Sequence, residues 1–261
     1  MKVLSIINLK GGVAKTISSV NMAHILASVY DYRVLLMDND KQGNASKILS
    51  RHDYRHKGTA EIMTERSPET SAIIQHTDFA GLDIITANMN LLKANLEVML
   101  DQQRPQQTRF KKALQQVAGN YDFCIIDNAP DINISTINAL VASDAVMVPV
   151  TIDDFAVDGL AELKEQIDNT REDLNPELKF YGCFVTQFDR TNEADIQGEE
   201  YLKALNYPVF NTHIRRTAKM KPSTFAREPI IVYSSRCGAS QDYKKLVEEF
   251  LDKVIAEAAE E

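Results

Sequence analysis

Cysteine is scarce in this 261-residue chain, and the three present, Cys124, Cys183 and Cys237, are scattered. None forms a CxxC pair or a zinc-type spacing, which argues against a structural metal site, an iron–sulfur cluster or a disulfide framework. A reducing cytoplasm is the expected setting. Tryptophan is absent, and Gly and Pro are few, at 10 and 8. No stretch is apolar for the roughly 20 residues that a bilayer-spanning helix needs. The opening residues 1–8 are apolar but too short for a signal peptide. Basic residues are outnumbered, 29 against 37 acidic, for a net charge of -8. That balance argues against a chain-wide nucleic-acid binder and leaves room for a local basic patch.

What is present is an alternation. Near-continuous apolar runs fall at about 3–7, 34–37, 83–86, 123–126, 145–150 and 180–186. Helical patterns lie between them, at about 15–30, 91–100, 110–118, 134–141, 156–170 and 194–205. Short buried strands alternating with helices predict an α/β fold, a doubly wound, mostly parallel sheet covered by helices on both faces. No linker, repeat or low-complexity segment interrupts the pattern, so a single domain over 1–261 is expected. A last helix, about 241–259, is amphipathic and ends in an acidic tail.

The chemistry begins where the first strand hands over to the first helix. There the chain reads Lys10-Gly11-Gly12-Val13-Ala14-Lys15-Thr16-Ile17. Gly11 and Gly12 let the backbone curl and approach a phosphate closely. The helix N-terminus that follows adds the positive end of its dipole. Lys15 is placed to neutralise β- and γ-phosphates, and Thr16 to ligate Mg²⁺. A Gly-Gly turn with incidental lysines is the plainer alternative, but the strand before and the helix after both favour a phosphate loop.

The stretch Asn8 to Thr16 resembles the deviant Walker A motif of the ParA/Soj/MinD ATPases. Four further motifs follow in order. Leu35-Leu36-Met37-Asp38-Asn39-Asp40-Lys41-Gln42-Gly43-Asn44 is similar to the family's second-strand motif, and Tyr121 to Pro130 resembles its Walker B. Thr186 to Asn192 and Val209 to Arg216 resemble its C-terminal segments. Lys41, Ala129 and Arg215 stand where the family usually has proline, and Ala14 where it has glycine. None of these departures removes a charged catalytic group.

The resemblance implies a P-loop ATPase using ATP/ADP and Mg²⁺. It assigns Asp127, at a strand's carboxyl end, to Mg²⁺ together with Thr16, with Asp38 supporting the metal shell. Asp40 would position the attacking water. Solvent exposure or helix capping is the alternative for an Asp at a strand end. Thr186, Gln187, Ile214 and Arg215 are expected along the nucleotide. Lys10, before the glycines, is expected to reach the partner's ATP across a two-fold interface, so that ATP joins a homodimer. A solvated loop lysine is the alternative.

A basic segment completes the reading. Between residues 203 and 227 lie six of the 29 basic residues, Lys203, Arg215, Arg216, Lys219, Lys221 and Arg227, and none of the 37 acidic ones. No aromatic stacking pattern or helix-turn-helix signature accompanies them. Phosphate contact alone gives sequence-independent, salt-sensitive DNA binding. Arg216 and Lys219 fall where the family places DNA-contacting residues, and Lys245 in the last helix is a weaker candidate; a solvated basic face is the alternative. The first strand begins at once, so no N-terminal operator-reading domain is expected. The implied function is DNA partitioning, for a plasmid, mobile element or chromosome, with hydrolysis stimulated by a ParB-like or other cargo adaptor and nucleoid association in the ATP-bound form; positioning of a protein cargo is the alternative within the family. A MinD-like membrane ATPase is disfavoured because residues 248–261 hold six acidic residues against one lysine. A small-molecule P-loop enzyme is the third reading, against which Lys10 argues.

Overall fold

The computed structural model describes residues 1–152 and 156–260. Glu261, the last residue of the acidic tail, lies outside them. The strands are β1 (Lys2–Ile6), β2 (Val34–Asn39), β3 (Gln75–His76), β4 (Leu82–Ile85), β5 (Phe123–Asn128), β6 (Ala145–Val150), β7 (Lys179–Phe188) and β8 (Ile214–Arg215). The helices are α1 (Lys15–Ser28), α2 (Asn44–Ile48), α3 (Thr59–Thr64), α4 (Thr70–Ile73), α5 (Asn90–Leu100), α6 (Arg109–Val117), α7 (Ile134–Ala142), α8 (Ala156–Asp173), α9 (Glu193–Ala204), α10 (Met220–Ala226), α11 (Ile230–Tyr233) and α12 (Gly238–Glu260).

All eight strands join one sheet in the order β3-β4-β2-β5-β1-β6-β7-β8. Its pairings are parallel apart from β3, which runs antiparallel to β4. The period-2 alternation of a strand divides the core. Leu4, Leu36 and Ile125 face α1 and α12, packing with Met22, Tyr243 and Phe250. Val3, Leu35, Met37 and Ile126 face the other way, against α3, α5 and α6. Strands buried on both faces carry no polar side to alternate, which is why they read as unbroken apolar runs.

The apolar face of α12 is taken up by this core. Tyr243, Leu246, Val247 and Phe250 are fully buried, so the helix's amphipathic pattern reflects packing on the sheet. Among the described residues no helix is long and apolar enough to cross a membrane.

The expected strands and long helices are present, with no end moved by more than three residues. The elements that the sequence did not announce are short: β3 and β8 have two residues each, and α2, α3, α4, α10 and α11 four to seven. Such pieces carry too few residues for a periodicity to register.

Strand order places the site. From β1 the chain goes to β2 on one side, beyond β5, and later to β6 and β7 on the other. The carboxyl end of β1 is therefore the switch point at which α/β sheets open a crevice for ligands. Register aligns the neighbours there, with Ile6 opposite Asp127, and Asp127 opposite Asp38.

A histidine lies within the core. His24 on α1 is buried, edge-on to Phe79 at 4.8 Å between ring centres. Burial pulls its pKa down to about 4 from 6.5. The unfolded chain takes up this proton at a higher pH than the folded one, so the contribution of neutral His24 to stability is complete above 6.5 and is lost as pH falls towards 4. His24→Gln should lose less stability than the native chain between pH 7 and 4.5, by up to about 3 kcal/mol, in denaturant titrations at the two pH values; equal losses would clear His24.

Candidate nucleotide and magnesium site

The loop between β1 and α1 is held open by its backbone. Gly12 and Ala14 both sit in the left-handed region, at φ 79 and 66. Ala14 immediately precedes α1, with ψ 27. For a residue with a Cβ this conformation costs about 1–2 kcal/mol. The position where the family uses glycine thus keeps the glycine backbone and bears the strain. Thr186 Oγ1 donates to Val13 O at 3.1 Å, and Gln187 Nε2 to Gly12 O at 2.8 Å, tying the loop to the end of β7.

Lys15 opens α1 and is largely buried. Its Nζ donates to Lys10 O at 2.8 Å, across the loop. Burial draws its pKa downward, opposed by the charges of Asp127, Asp40 and Asp131. Asp127 is fully buried at the end of β5. Ser19 Oγ, one turn beyond Lys15, donates to its Oδ1 at 3.0 Å. Its Oδ2 is buried with no hydrogen-bond partner. Burial pushes the Asp127 pKa up, and the facing Asp38 pushes it further; Thr16 and Ser19 offset part of this.

Asp38 is equally buried but fully engaged. Ser46 gives its Oδ2 two hydrogen bonds, from N at 2.9 Å and Oγ at 2.6 Å, and Asp40 N donates to Oδ1 at 3.2 Å. Asp38 thereby fastens the turn that carries Asp40. In that turn Gly43 has φ 61, and a Cβ there would lie 2.4 Å from Ala87 O. Asp40 accepts from Gln42 N at 2.9 Å and faces the cavity beside Lys15. Lys41 reaches Asp131 at 3.3 Å, joining the loop after β2 to the loop after β5. A proline at that position would have no such charge.

These groups border a cavity of about 1030 Å³, at the upper end of the usual range for small-molecule sites. Gly11, Gly12, Ala14, Lys15, Thr16 and Ile17 form one wall; Thr186, Gln187, Ile214, Arg215 and Arg216 form another. Tyr243 lies at its edge and its hydroxyl is 3.0 Å from Ser18 Oγ. Lys10 is absent from this lining and instead borders an adjoining polar groove of about 440 Å³, with Asp189, Asn192, Asp195 and Arg216.

The donor set fits Mg²⁺. Asp127 offers an unpartnered buried oxygen, Thr16 offers a hydroxyl beside it, and clustered carboxylates raise each other's pKa until a cation is supplied. Among the described residues no three acidic, His or Cys side chains converge to hold a metal by themselves. That suits Mg²⁺, which keeps waters and takes phosphate oxygens. Bound there, Mg²⁺ would neutralise phosphate charge.

The basic residues form a continuation of the same wall. Arg216, just after β8, Lys219, just before α10, Lys221 on α10 and Arg227 at its end are all exposed. Arg215 is paired: its Nε and Nη2 each lie 2.8 Å from Asp242, and its backbone N donates to the same carboxylate at 3.0 Å. The family's proline at this position could not make that last bond. Lys245 is exposed one turn beyond Asp242 on α12.

Sequence reading had not singled out Ser19, Ser46, Asp131 or Asp242. Ser19 stands four residues after Lys15, so helical spacing would have placed it on the same face. Ser46, Asp131 and Asp242 act through contacts between separate loops and helices, which leave no local pattern.

Fold and site together define a P-loop ATPase whose cofactors are ATP/ADP and Mg²⁺. Residues 1–180 match a family described as an AAA domain. The chain is 33% identical over 257 residues to the chromosome partitioning protein ParA of Caulobacter vibrioides, covering 97% of this chain and 95% of that protein. It is 34% identical over 249 residues to the sporulation initiation inhibitor protein Soj of Bacillus subtilis, covering 95% and 97%. Cobyrinic acid a,c-diamide synthase from Mycobacterium smegmatis, solved with an ATP analogue and magnesium, superposes with a TM-score of 0.83 at 26% identity, covering 96% of this chain and 94% of that one. The chain belongs to the ParA/Soj branch of the ParA/MinD ATPases.

Replacing Ala14 by Gly should relieve the left-handed strain. The more flexible unfolded glycine chain offsets part of the gain, leaving about 0.5–1 kcal/mol and a thermal midpoint higher by about 1–4 °C. A midpoint lowered by the substitution would contradict the strain.

Proposed function

We propose that this protein is a DNA-partitioning ATPase. ATP joins two copies, the dimer binds DNA without sequence preference, and a cargo-bound adaptor stimulates hydrolysis and release. It works in the cytoplasm, on the nucleoid while ATP-bound. The observation that carries the proposal is the shared wall. Arg216 and Lys221 border the nucleotide cavity and also belong to the exposed basic segment. A ligand in the cavity therefore bears directly on the residues offered to DNA. Differential affinity of this kind is what coupling requires. Two copies would also double the phosphate contacts, each adding about 0.9 to the salt slope.

The position of Lys10 supports the dimer. Lys10 is missing from the lining of its own cavity and borders the adjoining polar groove, as a residue that serves a second copy's phosphates would. Within the site, Lys15 binds phosphate, Asp127 and Thr16 hold Mg²⁺, Asp38 braces the turn, and Asp40 orients the water.

A small-molecule enzyme is the second reading, favoured by the likeness to the diamide synthase. ATP turnover that depends on a carboxylic-acid metabolite and ignores DNA would favour it.

Asp40→Ala should keep ATP-dependent dimerisation and DNA retention while turnover falls about 10²-fold, by size exclusion, gel shift and phosphate release. Native turnover in that variant would reject the role. Lys219→Glu should lose DNA in the gel shift and keep ATP hydrolysis. Unaltered retention would remove Lys219 from the surface.

A further inference from the structure

The basic segment contains one side chain that phosphate contact does not explain. Phe225, on α10, is 92% exposed, the most exposed large apolar side chain among the described residues. Core packing does not hold it, and a lone phenylalanine in water loses the stabilisation its burial would give. Lys221 is four residues before it on the same helix, so the two share a face. Arg227 follows it, at φ 58, where α10 ends. The inner face of α10 is held by the core, where Met220 packs and Ser223 is buried; Met220 and Lys221 border the nucleotide cavity, and Thr224 and Arg227 border a smaller groove of about 350 Å³ that also touches Thr16 and Ile17. Phe225 is thus an outward-pointing aromatic on a short helix that shares two cavities with the phosphate loop and its helix, and it is flanked by Lys221 and Arg227.

We propose that Phe225 is a non-electrostatic DNA contact, an apolar wedge that packs against sugars and bases while Arg216, Lys219, Lys221 and Arg227 hold the phosphates. The inference rests on the DNA-binding reading above. The occupant is argued from charge: the segment from 203 to 227, ending just before Glu228, has six basic residues and no acidic one, and its exposed Arg216, Lys219, Lys221 and Arg227 favour a polyanion. Duplex DNA fits better than an anionic bilayer because one phenylalanine on a seven-residue helix offers little area for membrane insertion, whereas a single apolar side chain is enough to wedge a base step. The contact would add affinity that salt does not screen, and would favour readily deformed steps without reading sequence.

The absence of tryptophan makes the test direct, since Phe225→Trp creates a single reporter. With ATP and Mg²⁺, duplex DNA should quench its fluorescence. Phe225→Ala should bind DNA about tenfold more weakly or worse with an unchanged salt slope, whereas Lys221→Ala should reduce the slope by about one. The thermal midpoint of Phe225→Ala should match the native one, because the side chain is not in the core. If the native protein retains DNA but Phe225→Ala binds as tightly and Phe225→Trp is not quenched, the wedge is wrong and the DNA reading stands. If phosphatidylglycerol vesicles shift the Trp emission to the blue and DNA leaves it unchanged, the occupant is a membrane and the proposal falls. If the native protein retains no DNA with ATP, both fall together.

Discussion

The buried carboxylate of Asp127 is the constraint around which this protein is organised. A carboxylate at the dry end of a central strand, facing a second one on the neighbouring strand, is unfavourable unless countercharge is near. The sheet register brings Asp38 opposite Asp127, so the difficulty is built into the strand pairing. Ser19 and Thr16 answer one side of it and Lys15 contributes from α1. One oxygen of Asp127 is left without a hydrogen-bond partner. In the proposed site a metal and a polyphosphate would complete the arrangement.

The same interaction explains how the surrounding loops are joined. Asp38, held by Ser46, sets the turn that presents Asp40. Lys41 and Asp131 link that turn to the loop after Asp127. Thr186 and Gln187 tie the phosphate loop to β7, whose neighbour β8 leads into the basic segment. A chain of short contacts thus runs from the metal position to the exposed arginines and lysines, each link a hydrogen bond, ion pair or strand pairing.

Much of this was legible in the sequence, for reasons that can be named. Strands buried on both faces cannot alternate, so β1, β2, β5, β6 and β7 appeared as apolar runs. The phosphate loop is contiguous, so Lys10 to Thr16 was readable as a unit. The aspartates end strands, so Asp38 and Asp127 stood out. What was hidden depends on distance along the chain. The Arg215–Asp242 fork spans β8 and α12, and the Lys41–Asp131 pair spans two loops. The left-handed backbone at Ala14 could be suspected from the missing glycine, but only the folded loop displays it. Phe225 looked like one aromatic among ten phenylalanines, and its exposure emerges only once the core around α10 is assembled.

In the proposed site, the unpartnered oxygen of Asp127 makes Mg²⁺ and nucleotide bind as one. Thermal unfolding with Mg²⁺ alone, ATP with a chelator, and Mg²⁺ with ATP together tests this directly. A ligand at about 100 times its Kd stabilises by about 2.7 kcal/mol. The account predicts that ATP and Mg²⁺ together raise the midpoint by several degrees more than either alone, and that Asp127→Asn abolishes this excess. An equal rise with ATP and chelator, or an undiminished excess in Asp127→Asn, would contradict it.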